Sequence, residues 1–235
     1  MLLKNILDDL INNELGNLSI GKPEWSDSKF SYTALIQCIS LGYLELGKRF
    51  TLNREVVALR PTSAINEYAL TYAHADSNTA STADKYIADT LTRVFSGNVV
   101  KIDQVFNELG ELITINSTAA NDDIRLLDAT TLYIKTPSLF PSLQLHCRSM
   151  PAPIVLVNEV DLATYTVPLA PIYLEALLCY AAGRVYTNRG AENATNNESA
   201  IFFARFEKAC VNIEQLGLST KEFLHSSRFQ MRGFI

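Results

Sequence analysis

Apolar residues recur at helical spacing near both ends of the chain and at strand spacing between them. Leu3, Ile6, Leu7, Leu10 and Ile11 share one face and predict a short amphipathic helix over 2–15, stopped by Gly16. A loop through Pro23 leads to Ser26-Asp27-Ser28, residue types that cap the free amides of a helix start. The helix that follows is expected to run to about Arg49. Tyr32, Leu35, Ile36, Ile39, Tyr43 and Leu46 make its main stripe, and Ala34, Cys38, Leu41 and Leu44 a second. Two apolar stripes predict a helix buried on two sides, central in a bundle.

The texture changes at Phe50. Residues 54–59 and 67–72 read as strands flanking a Pro61-Thr62-Ser63 turn, and the polar run 75–84, with little to bury, as a mobile loop. Residues 99–106 and 111–116 predict a hairpin across Asn107-Glu108-Leu109-Gly110. Further strands are expected at 130–135 and 154–157, with Pro137, Pro141, Pro151 and Pro153 marking a long irregular connection.

Helical spacing returns after Pro168 and Pro171. Leu174, Leu177, Leu178, Ala181 and Val185 form the stripe, while Ala176, Ala182 and Gly183 allow a close helix partner. A polar linker at 190–197 precedes a last helix carrying Phe202, Phe206, Ala209, Ile213 and Leu216, closed by Leu216-Gly217-Leu218. The predicted fold class is α+β. A helical bundle is formed by 1–50 and 167–217, with a β-rich insertion at 51–166 and a C-terminal arm at 218–235. Two independent domains are the alternative. The insertion is preferred because a helix with two apolar sides needs the C-terminal helices as partners.

Composition narrows the role. Charged residues are 19% of the chain and apolar ones 48%, which suits a subunit that buries area against partners as well as a well-cored monomer. With a net charge of −5, broad electrostatic adhesion to nucleic acid or anionic membrane is not expected. The N-terminal apolar run is broken by Asp8-Asp9, unlike a secretory signal, and no stretch is long and apolar enough for a membrane span. The scattered Cys38, Cys147, Cys179 and Cys210 read as buried, reduced thiols of a cytosolic chain. Asn193-Ala194-Thr195 is then a chance sequon.

No chemical motif stands out. His74, His146 and His225 lack zinc-helix spacing, and there is no Cys-x-x-Cys, P-loop or dinucleotide fingerprint. No metal and no cofactor is expected. In His146-Cys147-Arg148 a histidine next to a cysteine on a strand points to the opposite face, poorly placed to activate it. Asp8-Asp9 and Asp122-Asp123 read as solvated charges, and Phe202, Phe203 and Phe206 as core. The chain is read as a non-enzyme.

The tail differs. Phe223, Leu224, Phe229, Met231, Phe234 and Ile235 alternate irregularly with Lys221, Arg228 and Arg232. Apolar side chains interleaved with cations in an acidic protein suggest a docking arm, or phenylalanines that fold back onto their own bundle.

The order of segments resembles the head-to-tail adaptors of tailed bacteriophages. The likeness lies in the short first helix, the helix ending Leu44-Glu45-Leu46-Gly47-Lys48-Arg49-Phe50 and the β-rich middle. It extends to the late helix from Leu174 to Tyr186 and to Phe203-Ala204-Arg205-Phe206-Glu207. The resemblance implies a ring of about twelve copies that joins the portal to the tail and continues the DNA channel. It also implies docking on the portal by Phe223, Leu224, Arg228, Phe229, Met231, Arg232, Phe234 and Ile235. The implied partners are the portal, a tail or nozzle protein and passing DNA held without specific contacts, with no membrane. The implied place is the virion's head–tail interface, after assembly in the host cytoplasm. The insertion is larger than in minimal adaptors. Two other readings stand beside this one: a tail or baseplate module binding a fibre or glycan through the β block, and a small hydrolase using Cys147 or a histidine.

Overall fold

The computed structural model describes residues 1–18, 31–90, 92–116, 123–155, 159–189 and 193–216. The protein is α+β, with helices and antiparallel sheets, and it divides into two compact units. One comprises Met1–Phe50 with Pro151–Ile235, the other Thr51–Met150.

In the first unit, α1 (Leu3–Asp9) buries Leu3, Ile6 and Leu7. It widens into a π-helical turn, Leu10–Glu14, which buries Leu10, while Ile11 is only half-buried. The helix ends where Leu15 N–H donates to Leu10 O (3.0 Å), and Gly16 opens a further 3-10 turn. α2 (Tyr32–Arg49) begins at a cap different from the predicted one. Ser31 Oγ accepts from Ala34 N–H at 3.2 Å; Ser26-Asp27-Ser28 lies outside the described residues. Its buried face is Leu35, Ile36, Cys38, Ile39, Tyr43 and Leu46. Leu41, assigned to a second buried stripe, is in solvent instead.

α4 (Leu174–Arg189) packs against both α2 and α5 (Asn193–Gln215). Its contact with α2 is made close by Gly42, where an added Cβ would stand 2.9 Å from Leu177 Cδ1. On its other side Gly183 lies under the Phe203 ring, as small residues on that helix predict. α5 starts at Asn193, so much of the expected polar linker is helix; it buries Phe206, Ala209 and Ile213 but leaves Leu216 exposed. Gly217, the expected left-handed stop, lies outside the described residues.

Residues 151–166, expected within the β-rich insertion, belong to this helical unit. The physical reason is a bridge between the start of the chain and residues 165–167. The Met1 ammonium donates to Val167 O (2.7 Å), Val167 N–H to Met1 O (2.8 Å) and Leu3 N–H to Tyr165 O (3.0 Å). The short α3 (Glu159–Thr164) then packs on α1. Ile154 and Val155, expected as a strand, lie outside any helix or strand, and 156–157 lie outside the described residues.

The second unit holds β1 (Asn53–Leu59), β2 (Glu67–Ala69), β3 (Ile87–Ala88) and β4 (Val99–Phe106). It continues with β5 (Leu112–Ile113), β6 (Ile124–Leu126), β7 (Thr131–Ile134) and β8 (Leu143–Ser149). They form two antiparallel sheets, ordered β3-β1-β8-β4-β5 and β2-β7-β6. Both feed one core, with Val57, Leu59, Leu143, Leu145 and Cys147 from the first and Tyr68, Ile124 and Leu132 from the second.

Three sequence expectations change here. β1 and β2 do not pair with each other, although both flank the Pro61 turn; each joins a different sheet. Tyr72 is not a strand residue but opens a 3-10 turn. β8, in the middle of the larger sheet, falls inside the stretch read as an irregular proline connection. The run 75–84 is also better tied than a mobile loop. Ala75 is fully buried, and Lys85 Nζ donates to Ala73 O (2.7 Å) and Asn78 O (2.8 Å). The β4–β5 hairpin forms as predicted, though shorter, with Gly110 at φ +79° and Asn107 N–H donating to Glu111 O.

Candidate interaction surface

Cys147 lies on β8 opposite Glu55 of β1 and Ile102 of β4, only 1% exposed. Burial pushes its thiol up to about 12, and the carboxylates of Glu55 and Asp103 push the same way. Reactive cysteines sit in exposed, electropositive surroundings, and Cys147 has neither. His146, one residue earlier on the strand, packs its ring on Phe106 at 4.6 Å between centroids, and Arg148 Nε binds Asp103 Oδ2 at 2.7 Å. The three side chains of the tripeptide thus serve three separate contacts.

The other candidates are also occupied in packing. His74 stacks on Tyr86 at 4.4 Å with Nδ1 2.9 Å from Asp84 O. Phe202 stacks on Tyr186 and Phe206 meets Tyr180 edge-on, both at 5.2 Å; of the row read as core, Phe206 is buried while Phe202 and Phe203 are half-buried. Cys38, Cys179 and Cys210 are buried free thiols. Among the described residues no group of three or more His, Cys, Asp or Glu is placed to hold a metal, and no helix is long and apolar enough to cross a membrane. His225, Asp122 and the whole docking arm, Phe223, Leu224, Arg228, Phe229, Met231, Arg232, Phe234 and Ile235, lie outside the described residues.

What remains is surface. On the helical unit, α2 and the irregular segment 153–155 enclose an open groove of about 500 Å³. Ile36 and Ile154 form its buried floor, and Ile154 N–H donates to Ser40 Oγ at 2.9 Å, fixing the segment to the helix. Leu41 at 42% exposure and Val155 at 71% stand on its walls. No charged side chain is among the lining residues. On α5, Ile201 is 57% and Val211 40% exposed, ten residues apart on the side away from Phe206, Ala209 and Ile213, with the exposed Lys208 between them.

The sequence contained signals for both walls of the groove. On α2, Leu41 is two residues from both Ile39 and Tyr43, about 160° around the helix from each, which places it off the main face. Pro151 and Pro153 deny the segment two amide donors, so it runs as an open edge rather than a paired strand.

Comparison of the chain with protein-family models and with curated proteins gives no match in either.

Proposed function

We propose that this chain is a structural adaptor subunit, without catalytic activity, whose copies form a ring joining a phage portal to the tail and continuing the DNA channel. The observation that supports the reading is that the helical unit exposes apolar side chains on two separate elements, Leu41 and Val155 at the α2 groove and Ile201 and Val211 on α5. A ring closed by rotation needs two unlike, complementary surfaces on every copy. In this reading a bundle built from both ends of the chain forms the ring wall. The β-rich insertion meets the tail or nozzle, and the arm from Phe223 to Ile235 docks on the portal. The net charge of −5 suits a channel wall that must release moving DNA. The place of action is the head–tail interface of the virion, reached by assembly in the host cytoplasm.

Electron microscopy of the purified chain mixed with portal-bearing filled heads tests this. A ring beneath the portal is expected, lost in an Ile201→Asp/Val211→Asp double variant that stays folded. Heads that neither bind the chain nor gain a ring would overturn the reading.

A second reading is a tail or baseplate module that holds a fibre or surface ligand through the β unit. Its support is the sheet face carrying exposed Val56 beside the Phe106–His146 ring pair. Binding of fibre or glycan by residues 51–150 alone would favour it over the adaptor.

A further inference from the structure

The α2 groove has an occupant within reach. Arg49, at the end of α2, binds Glu214 Oε1 through Nε at 2.7 Å and Glu207 Oε2 through Nη1 at 2.6 Å. These pairs hold the end of α5 beside the end of α2, so the described chain stops at Leu216 close to one end of the groove-bearing helix. From Arg49 back to Thr33, the far limit of the groove lining, is about 24 Å along the helix axis at 1.5 Å per residue. Nineteen residues follow Leu216. Extended, they span at most roughly 60 Å, enough to round the helix and run the groove's full length.

The chemistry also matches. Residues 223–235 carry Phe223, Leu224, Phe229, Met231, Phe234 and Ile235 and no acidic side chain. The groove offers Leu41, Leu44 and Val155 for apolar contact, with Thr33, Gln37 and Ser40 as its polar groups. Without charge in the lining, nothing recruits a strongly acidic or basic partner. Arg228 and Arg232 can lay their stems along the rim and keep their guanidinium groups in water. A segment tethered to the same chain faces the groove at an effective concentration on the order of millimolar, which a separate copy matches only when highly concentrated.

We propose that in the free chain, before copies assemble, residues 223–235 seat in the groove of their own chain, covering Leu41 and Val155 and withholding both the groove and the phenylalanines from other partners until assembly displaces them. This stands whether or not the chain is an adaptor, because the test uses the isolated protein. Hydrogen exchange on the full chain should show amides of 223–235 protected, unchanged on tenfold dilution. A Leu41→Lys/Val155→Lys variant alters only exposed side chains, so α4 should exchange as before while the tail exchanges on the order of tenfold faster or more. Phe229→Ser/Phe234→Ser, changed on the tail side, should release it equally. A tail that exchanges freely in the unaltered chain would overturn the proposal. So would protection that survives both variants, which places the tail elsewhere, or protection lost on dilution, which makes the occupant a second copy.

Discussion

At the scale of single residues, burial sets the chemistry of the β unit. Glu55 sits half-buried on β1, across from Cys147, and burial raises its carboxyl above the usual carboxylate range despite the opposing pull of Arg93 and the Ser96 hydrogen bonds. The sign of the resulting pH dependence follows. In the unfolded chain Glu55 ionises near its ordinary value of 4.5, whereas the folded environment resists ionisation. Its contribution is therefore most favourable below that value and is lost as pH rises through the folded pKa. Glu55→Gln removes the loss. Thermal melts of the two proteins should diverge in the variant's favour as pH climbs from about 4 to 7. A difference that is flat with pH, or that grows toward acid, would show that Glu55 is no burden to the fold. The same burial makes Cys147 a core side chain, and a sequence reading that looks only at His146-Cys147-Arg148 has the alternation needed to see this. Leu143, Leu145 and Cys147 face the core while Gln144, His146 and Arg148 face away.

At the scale of elements, legibility depended on whether the signal was local. The core face of α5 could be read because its buried stripe recurs within the helix itself, and the β4–β5 hairpin because Asn107 and Gly110 mark its turn. By contrast α4, read as a striped helix, is buried on nearly every side from Ala176 to Tyr186 and leaves Leu174 half-buried. β8 was missed although its alternation is clean, since Pro137, Pro141, Pro151 and Pro153 around it signal irregular chain. The separation of β1 from β2 has no local signal at all. It is settled by partners more than sixty residues away, β8 for one and β7 for the other. The start of α2 is a third case. Ser26, Ser28 and Ser31 are all of a capping type, and the cap that forms is Ser31, whose hydroxyl accepts from Ala34 N–H. Ser31→Ala should then cost about 1 kcal/mol of stability by urea titration, the usual loss for a cap of this type. Ser28→Ala should cost far less. If the two changes were equivalent, the helix would start earlier than the hydrogen bond indicates. The candidate surfaces followed the same logic: apolar residues are visible in sequence, but whether Leu41 faces a neighbour or water is decided by which side α4 covers.

At the scale of the whole molecule, the chain leaves the helical unit at Phe50 and returns at Pro151. These crossings are adjacent for a physical reason: β1 and β8 are antiparallel neighbours, and their register pairs Asn53 with Ser149. Paired residues in such a ladder stand about 5 Å apart, so the intervening hundred residues leave and rejoin at nearly one point. The β unit also has its own core, from Val57 and Leu59 through Tyr68 and Ile102 to Leu145 and Cys147. An inserted segment with adjacent ends and a separate core can be removed without stretching what remains. Replacing residues 53–149 by a linker of about four glycines and serines should therefore leave a helical protein with a cooperative melt. Residues 51–150 expressed alone should give a β-rich circular dichroism spectrum and their own transition. Should the shortened chain lose helical signal and the fragment fail to melt cooperatively, the two units would be one folding entity. Were only the fragment to fail, the helical unit would be the independent one and the insertion would depend on it.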